Sequence, residues 1–136
     1  MIGPSAEPPS QANPAATPAI DCGDRLNALV AQLEHLRRSI AIGVSYEQYV
    51  AELETVRESY QRVPVGELGL ACVSGPASSA ERSFDGYLAA ANTWGECVSE
   101  ADCKTEVLEP KLQRKWRTAA GQLAAAQQAL EARTGP

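Results

Sequence analysis

The chain has 136 residues, a net charge of −5 and 44% hydrophobic residues, which allows one folded domain and excludes a second of ordinary size. A moderate negative charge gives no general attraction to nucleic acid, so we expect no nucleic-acid partner. Aromatic residues are few and Ala, Leu, Glu, Gln and Arg are abundant. This composition favours helix over sheet and predicts an all-α domain.

Residues 1–20 contain five prolines among Ser, Ala, Gln and Asn and have no apolar periodicity. Such a stretch cannot bury enough surface to offset its ordering entropy, so we expect a disordered linker over 1–20 and a folded domain over 21–133. The linker is either a stalk that holds the domain off a membrane or cell wall, or a ragged terminus. The printed sequence has no signal-peptide pattern, so we expect any export signal or membrane anchor to precede it.

Four cysteines, Cys22, Cys72, Cys97 and Cys103, form no C-x-x-C motif and accompany a single histidine. We therefore expect neither a metal site nor a cofactor. An even count in a small domain is typical of disulfides and of an oxidising, extracytoplasmic compartment, against the alternative of four buried thiols in the cytosol. Of the three connectivities we favour Cys97 with Cys103 and Cys22 with Cys72, because they close a short corner and tie the first helix to the central loop.

Apolar residues recur at helical spacing over about 24–41 and about 46–62. Gly43 is typical of the end of the first helix, and Ser45 with Gln48 forms a capping-box pattern that opens the second. Because the turn between them is short, the two segments predict an antiparallel hairpin.

Arg37 and Arg57 break the amphipathic pattern, because each lies in the apolar arc of its helix. We favour the interpretation that they extend from the bundle edge and pair with carboxylates such as Glu34, Glu54 or Glu58. The alternative makes them candidate ligand-binding residues that hold an anion inside the bundle.

Residues 63–79 contain three glycines and two prolines and predict a long connection. A third helix begins after Ser78 or Ser79, with Gly86 on its outer side. A Cys97–Cys103 bridge requires this helix to stop between the two cysteines, since an unbroken helix would hold them about 9 Å apart along its axis.

The last helix should follow a turn over 105–109 and run over about 110–132, because proline is tolerated at a helix start and not inside a helix. With the hairpin, these two longer helices predict a four-helix bundle. Residues 63–103 carry six acids and one base, whereas 104–136 carry six bases and three acids. We expect the acidic and basic segments to face each other.

Three bases of the last helix, Lys111, Arg114 and Arg117, face away from its apolar arc. They are a candidate interaction surface for an acidic polymer or for lipid headgroups. The alternative is an ordinary solvated outer face.

The sequence has no nucleophile elbow, no phosphate-binding glycine loop and no HExxH motif. An enzyme is therefore the alternative rather than the leading hypothesis. Its best form resembles the chorismate-mutase type, and that resemblance implies Arg, Lys, Glu and Gln side chains inside a helical bundle. Arg37, Arg57 and Gln127 are the residues that fit this pattern.

Residues 20–132, with DCGDRL near the start and NTWGEC and CKTEVLEPKLQRKW near the end, resemble the secreted or lipoprotein-type helical domains of actinobacteria. Arg outnumbers Lys nine to three, which is consistent with a high-GC source. The resemblance implies an extracytoplasmic location and tethering, and supplies no activity.

We therefore expect an extracytoplasmic, envelope-tethered interaction or scaffolding module whose partner is another envelope or secreted protein. Contact with the membrane is expected only through an anchor. The alternatives are a small secreted all-α enzyme or ligand binder that uses Arg37 and Arg57, and an inhibitor of another secreted protein.

Overall fold

The computed structural model describes the backbone of residues 16–134 and the side chains of residues 22–132. Four long helices make up this part and it contains no strand, so the predicted all-α four-helix class is confirmed. The helices are α1 (Ala16–Ile42), α2 (Tyr46–Gln61), α3 (Ser78–Val98) and α4 (Thr105–Thr134).

The first helix begins earlier than predicted, at Ala16 rather than near residue 24. Pro18 falls in its first turn, where the missing N–H costs nothing because the first N–H groups of a helix have no intrahelical acceptor. Residues 16–20, which we assigned to the linker, therefore belong to α1. The rest of the predicted linker, 1–15, lies outside the described residues, so its disorder stays a prediction.

The predicted hairpin of α1 and α2 is confirmed. Gly43 ends α1 with a φ of 122°, in the left-handed region that favours glycine. The Ser45 hydroxyl accepts the Gln48 N–H at 3.1 Å and the Gln48 side chain accepts the Ser45 N–H at 3.0 Å, which is the predicted capping box. His35 lies 3.6 Å from Glu52, and both are about equally far from the turn, so the helices run antiparallel.

The segment between α2 and α3 is more helical than predicted. A 3-10 turn (Val65–Glu67), an α-helical turn (Leu70–Cys72) and a π turn (Val73–Ala77) lead directly into α3. Pro76 is buried inside the π turn, a geometry that absorbs an irregular hydrogen-bond pattern within a helix. The predicted loop over 63–79 is therefore wrong beyond Gly69.

Contacts between neighbouring helices fix their order around the bundle. α2 packs on α3, α3 on α4, and α4 closes on α1, so the bundle has an up-down-up-down topology. The pairs that mark these contacts are Tyr60 with Phe84, Ser83 with Ala119, and Glu34 with Gln127.

Gly86 faces α4, and the prediction that it faces outward is wrong. A Cβ on Gly86 would lie 2.9 Å from the Cβ of Ala119, so the two helices approach closely there. Ser83, one turn earlier, donates its hydroxyl to the Ala119 carbonyl at 2.9 Å. The apolar-arc argument missed this contact because it weighs large side chains, whereas small ones make it.

The fourth helix begins at Thr105 and keeps Pro110 inside it, so the predicted turn over 105–109 is wrong. A proline inside a helix loses one backbone hydrogen bond and costs about 3 kcal/mol. On either side of it, Leu108 and Leu112 pack into the main core. Their burial offsets that cost, because covering a leucine contributes about 1.5–3 kcal/mol.

Both disulfides join the predicted pairs. Cys22 and Cys72, with a Cα–Cα distance of 5.7 Å, are buried and form a small second core with Leu26. Cys97 and Cys103, with a Cα–Cα distance of 5.0 Å, close the α3–α4 corner and are half-buried. The two bridges indicate an oxidising, extracytoplasmic environment.

Candidate functional site

An open cleft of about 380 Å³ lies where the α1–α2 turn meets the start of α4. Trp94 of α3 and Trp116 of α4 both line it, and both are half-buried. Four aliphatic side chains complete its apolar wall: Ile40, Val44, Leu108 and Leu112. Its polar lining side chains are Thr105, Glu109 and Gln113. We call this site the tryptophan cleft.

Hydrogen bonds from the core fix the orientation of one tryptophan. Trp116 donates its indole N–H to the Tyr49 hydroxyl at 3.1 Å, and Tyr49 donates in turn to the Tyr87 carbonyl at 2.7 Å. Tyr49 is fully buried, and this burial raises the pKa of its hydroxyl. The hydroxyl therefore stays protonated and keeps both bonds at ordinary pH.

Ring contacts hold the second tryptophan. The Trp94 centroid lies 5.5 Å from that of Tyr46, 5.6 Å from that of Tyr49 and 6.0 Å from that of Trp116. Aromatic pairs at such distances contribute about 0.5–1.5 kcal/mol beyond their burial. The cleft is therefore preformed, with indole surfaces that need little reordering to receive a ligand.

The chemistry of the tryptophan cleft suits binding. Its walls are aliphatic and aromatic, and its polar lining side chains offer a hydroxyl, a carboxylate and an amide. These groups can orient a bound segment through hydrogen bonds. Among the described residues, Glu109 is the one titratable side chain that lines the cleft.

Sequence patterns had placed Trp94 and Trp116 simply in the core. The available signal was their position: Trp94 lies one turn before the Cys97 corner and Trp116 lies about three turns after the start of α4. Both are thus near one end of the bundle. A tryptophan is too large to be fully covered at such an end, so partial exposure is the expected result.

Arg37 is engaged by Glu34 of its own helix. It donates from Nε to Glu34 Oε1 at 3.0 Å and from Nη2 to Oε2, and Arg38 donates to Oε2 at 3.1 Å. Gln127 of α4 donates to the same carboxylate at 3.3 Å. These hydrogen bonds, that from Arg37 foremost, lower the pKa of Glu34 to about 2, so the carboxylate stays ionised and neutralises Arg37.

Arg57 lies elsewhere, with its Nε 3.7 Å from Glu54. The antiparallel register of α1 and α2 places it opposite residue 30, seven residues from Arg37, which corresponds to about 10 Å along the axis. The structure therefore does not bring Arg37 and Arg57 together. Both side chains are more than two-fifths exposed and pair within their own helices, which matches the favoured interpretation of the sequence.

The three predicted surface bases, Lys111, Arg114 and Arg117, are all exposed on α4. Lys115, which sequence analysis did not single out, lies between them and is half-buried. Lys111 extends over the α3–α4 corner, whereas Arg114 and Lys115 line a second concavity against α3.

Within the described residues, no group of three His, Cys, Asp or Glu side chains is placed to hold a metal ion. None of the helices in that part combines the length and apolarity needed to cross a membrane. Comparison with known proteins found no matching family model, curated protein or solved structure.

Proposed function

We propose that this chain is an extracytoplasmic interaction module that binds an apolar segment of another envelope or secreted protein in the tryptophan cleft. One observation carries the proposal: two tryptophans, held by core contacts, line an open cleft whose walls are aliphatic and aromatic. Tryptophan, tyrosine and arginine are enriched at the energetic centre of protein interfaces.

The location outside the cytoplasm is supported by the disulfides. Two bridges use all four cysteines and leave no free thiol. The finer location, secreted or tethered to the envelope, is part of the proposal and agrees with the resemblance to secreted and lipoprotein-type helical domains.

A scaffold role is supported by the rigidity of the bundle. Its main core joins buried side chains from all four helices, and two covalent bridges restrain its ends. A domain of this kind presents a preformed surface and loses little conformational entropy when a partner binds.

An enzyme or ligand binder that uses Arg37 and Arg57 receives less support. Each guanidinium is paired with a carboxylate of its own helix, and Gln127 donates to Glu34 rather than to an open site. An inhibitor of a secreted protein is a special case of the interaction module and would use the same cleft.

The test is affinity capture from the envelope fraction of the source organism, with the oxidised domain as bait. The cleft variant Glu109→Lys/Gln113→Lys changes two exposed lining residues of the cleft. Its matched control, Glu58→Lys/Gln61→Lys, makes the same substitutions at exposed positions near the C-terminal end of α2, away from the cleft. We expect the cleft variant to lose the captured protein and the control to retain it.

The tryptophans give a direct readout for the purified partner. The chain has two tryptophans and both line the cleft, so an apolar segment that enters it must change their emission. Equal capture by both variants, together with unchanged tryptophan emission on binding, would overturn the proposal.

A further inference from the structure

A second concavity, separate from the tryptophan cleft, lies between α3 and α4. It has a volume of about 400 Å³ and is lined by Gly86 and Ala89 of α3 and by Arg114, Lys115 and Thr118 of α4. We call it the basic groove. The tryptophan cleft opens on the α1 side of α4 and the basic groove on the α3 side, so the two sites are distinct.

The groove is concave because its floor is made of small residues. Gly86 lets α3 approach α4 until a Cβ there would meet the Cβ of Ala119 at 2.9 Å, and Ala89 follows one turn later. The longer side chains of Arg114 and Lys115 on α4 form the side of the groove. The shape suits a chain lying along the groove better than a flat membrane surface.

The cations beside the groove form a row. Lys111, Arg114 and Lys115 are spaced as i, i+3 and i+4 on one face of α4, and Lys111 lies next to the groove, at the α3–α4 corner. These three cations span about 6 Å at 1.5 Å per residue, and Thr118 continues the same face to about 10 Å. Arg117 is exposed and extends the positive charge onto the outer face of the helix.

The cations of this row form no ion pair within the described residues, and Lys111 shares the concavity at the α3–α4 corner with Glu96, Glu100 and Asp102. α3 and α4 are neighbours, as expected, yet no ion pair among residues 22–132 joins them. In particular, Lys111, Arg114, Lys115 and Arg117 have no carboxylate within 4 Å in that part of the chain. Four cations between 111 and 117 without an acid among them thus stand out on a protein with a net charge of −5.

We infer that the basic groove binds an acidic segment of a protein partner. An extended segment places alternate side chains on the same face, about 7 Å apart, and a helical one places them about 5–6 Å apart. With either spacing, two carboxylates of the segment can lie opposite Lys111, Arg114 and Lys115. The Arg114 guanidinium can bind a carboxylate in bidentate fashion, and Lys111 and Lys115 add point charges.

The direct test uses a fluorescein-labelled octaglutamate peptide and its octaglutamine counterpart, with fluorescence anisotropy as the readout. We expect the oxidised full chain to bind octaglutamate and not octaglutamine. Binding should weaken as salt rises from about 20 mM to about 150 mM, because exposed charges are then screened. Absence of a difference between the two peptides would overturn the inference.

A pair of charge-matched variants separates a site from general attraction. The groove variant Lys111→Gln/Arg114→Gln/Lys115→Gln should weaken octaglutamate binding about tenfold, the sum expected for three surface ion pairs. The control Arg38→Gln/Arg57→Gln/Arg62→Gln removes the same charge from α1, α2 and the residue that follows α2, and should retain nearly full affinity. Equal losses in the two variants would refute a localised site.

Vesicles provide the remaining arm. Vesicles of phosphatidylcholine with phosphatidylglycerol present the same negative charge on a flat surface. Binding to them that depends on the groove, without binding to octaglutamate, would identify a membrane as the occupant and overturn the inference. Because the tryptophan cleft is untouched by the groove variant, its capture experiment succeeds or fails independently.

Discussion

The indole N–H of Trp116 donates to the hydroxyl of Tyr49 at 3.1 Å, which joins α4 to α2 across the diagonal of the bundle. The same hydroxyl donates to the Tyr87 carbonyl of α3 at 2.7 Å. One buried oxygen therefore connects three helices and sets the position of a residue that lines the tryptophan cleft. A change at the Tyr49 hydroxyl should therefore affect both the stability of the protein and the shape of the tryptophan cleft.

Tyr49→Phe should lower the free energy of unfolding by about 1–3 kcal/mol, because it leaves the Trp116 N–H without its acceptor in a partly buried place. Urea unfolding measures the loss, and tryptophan emission reports the change in the cleft. The control is Tyr60→Phe, which removes a bond to Glu81 at a more exposed site and should cost less. Equal losses of unfolding free energy in the two variants would show that the Trp116–Tyr49 hydrogen bond stabilises the protein no more than an exposed hydrogen bond does.

Local sequence patterns were sufficient for the helix hairpin and for the Cys97–Cys103 pair. Ser45 and Gln48 form a local cap that needs no tertiary information, and a six-residue spacing of Cys97 and Cys103 leaves few geometries. These features are determined by residues close in the chain, which is why a sequence pattern reaches them.

The interior prolines were misjudged for a physical reason. Pro76 is accommodated by a π turn and Pro110 by the burial of Leu108 and Leu112. In both places tertiary packing outweighs local helix propensity, and propensity alone cannot predict that outcome. The tryptophan cleft was missed similarly, since it depends on how three helices and a turn meet.

Gly86 and Gly121 offer a matched test of the α3–α4 contact. Both lie inside helices, but a Cβ at Gly86 meets Ala119 whereas one at Gly121 meets nothing within 4 Å. Gly121→Ala should stabilise the protein by about 0.5–1 kcal/mol through helix propensity. Gly86→Ala should instead destabilise it, because overpacking costs about 1–3 kcal/mol. Stabilisation by both, measured by thermal unfolding, would contradict close packing at Gly86.

Glu34 predicts a particular dependence of stability on acid. Its pKa in the folded chain is about 2, below the ordinary value of 4.5, so the unfolded state binds more protons between these values. The stability contributed by Glu34 is therefore complete above about pH 4.5 and is lost as the pH falls towards about 2. Urea unfolding of the wild type and of Glu34→Gln should converge over this window.

The control for this experiment is Glu58→Gln, at an exposed carboxylate of α2. Its difference from the wild type should stay small at every pH. A Glu34→Gln difference that does not change between pH 5 and pH 2 would mean that the Arg37 pair contributes little in solution.

The two disulfides should differ in their rate of reduction. Cys22 and Cys72 are 0% and 2% exposed, whereas Cys97 and Cys103 are half-buried at the α3–α4 corner. Thiol–disulfide exchange requires access of the attacking thiolate to a sulfur atom. Under mild dithiothreitol, alkylation followed by peptide mass analysis should label the corner pair first. Simultaneous labelling would indicate that reduction follows global unfolding.

Although the corner bridge should be reduced first, removal of the Cys22–Cys72 bridge should lower the stability of the protein more than removal of the Cys97–Cys103 bridge. Cys22 and Cys72 are 50 positions apart and Cys97 and Cys103 are six apart, so loop closure is worth about 4.1 and about 2.4 kcal/mol respectively. The paired variant Cys22→Ala/Cys72→Ala also opens space in the small second core beside Leu26. Its Tm should therefore be several degrees below that of Cys97→Ala/Cys103→Ala.

The corner variant supplies the second half of this test. Because Trp94 lies one turn before Cys97, loss of the corner bridge should change tryptophan emission more than it changes Tm. The Cys22→Ala/Cys72→Ala variant has lost a bridge near the start of α1, far from both tryptophans. While it stays folded, it should show a larger change in Tm than in tryptophan emission. If the corner variant instead has the lower Tm, the short bridge rather than ring packing holds the Trp94 end of the bundle, and the tryptophan cleft depends on oxidation to keep its shape.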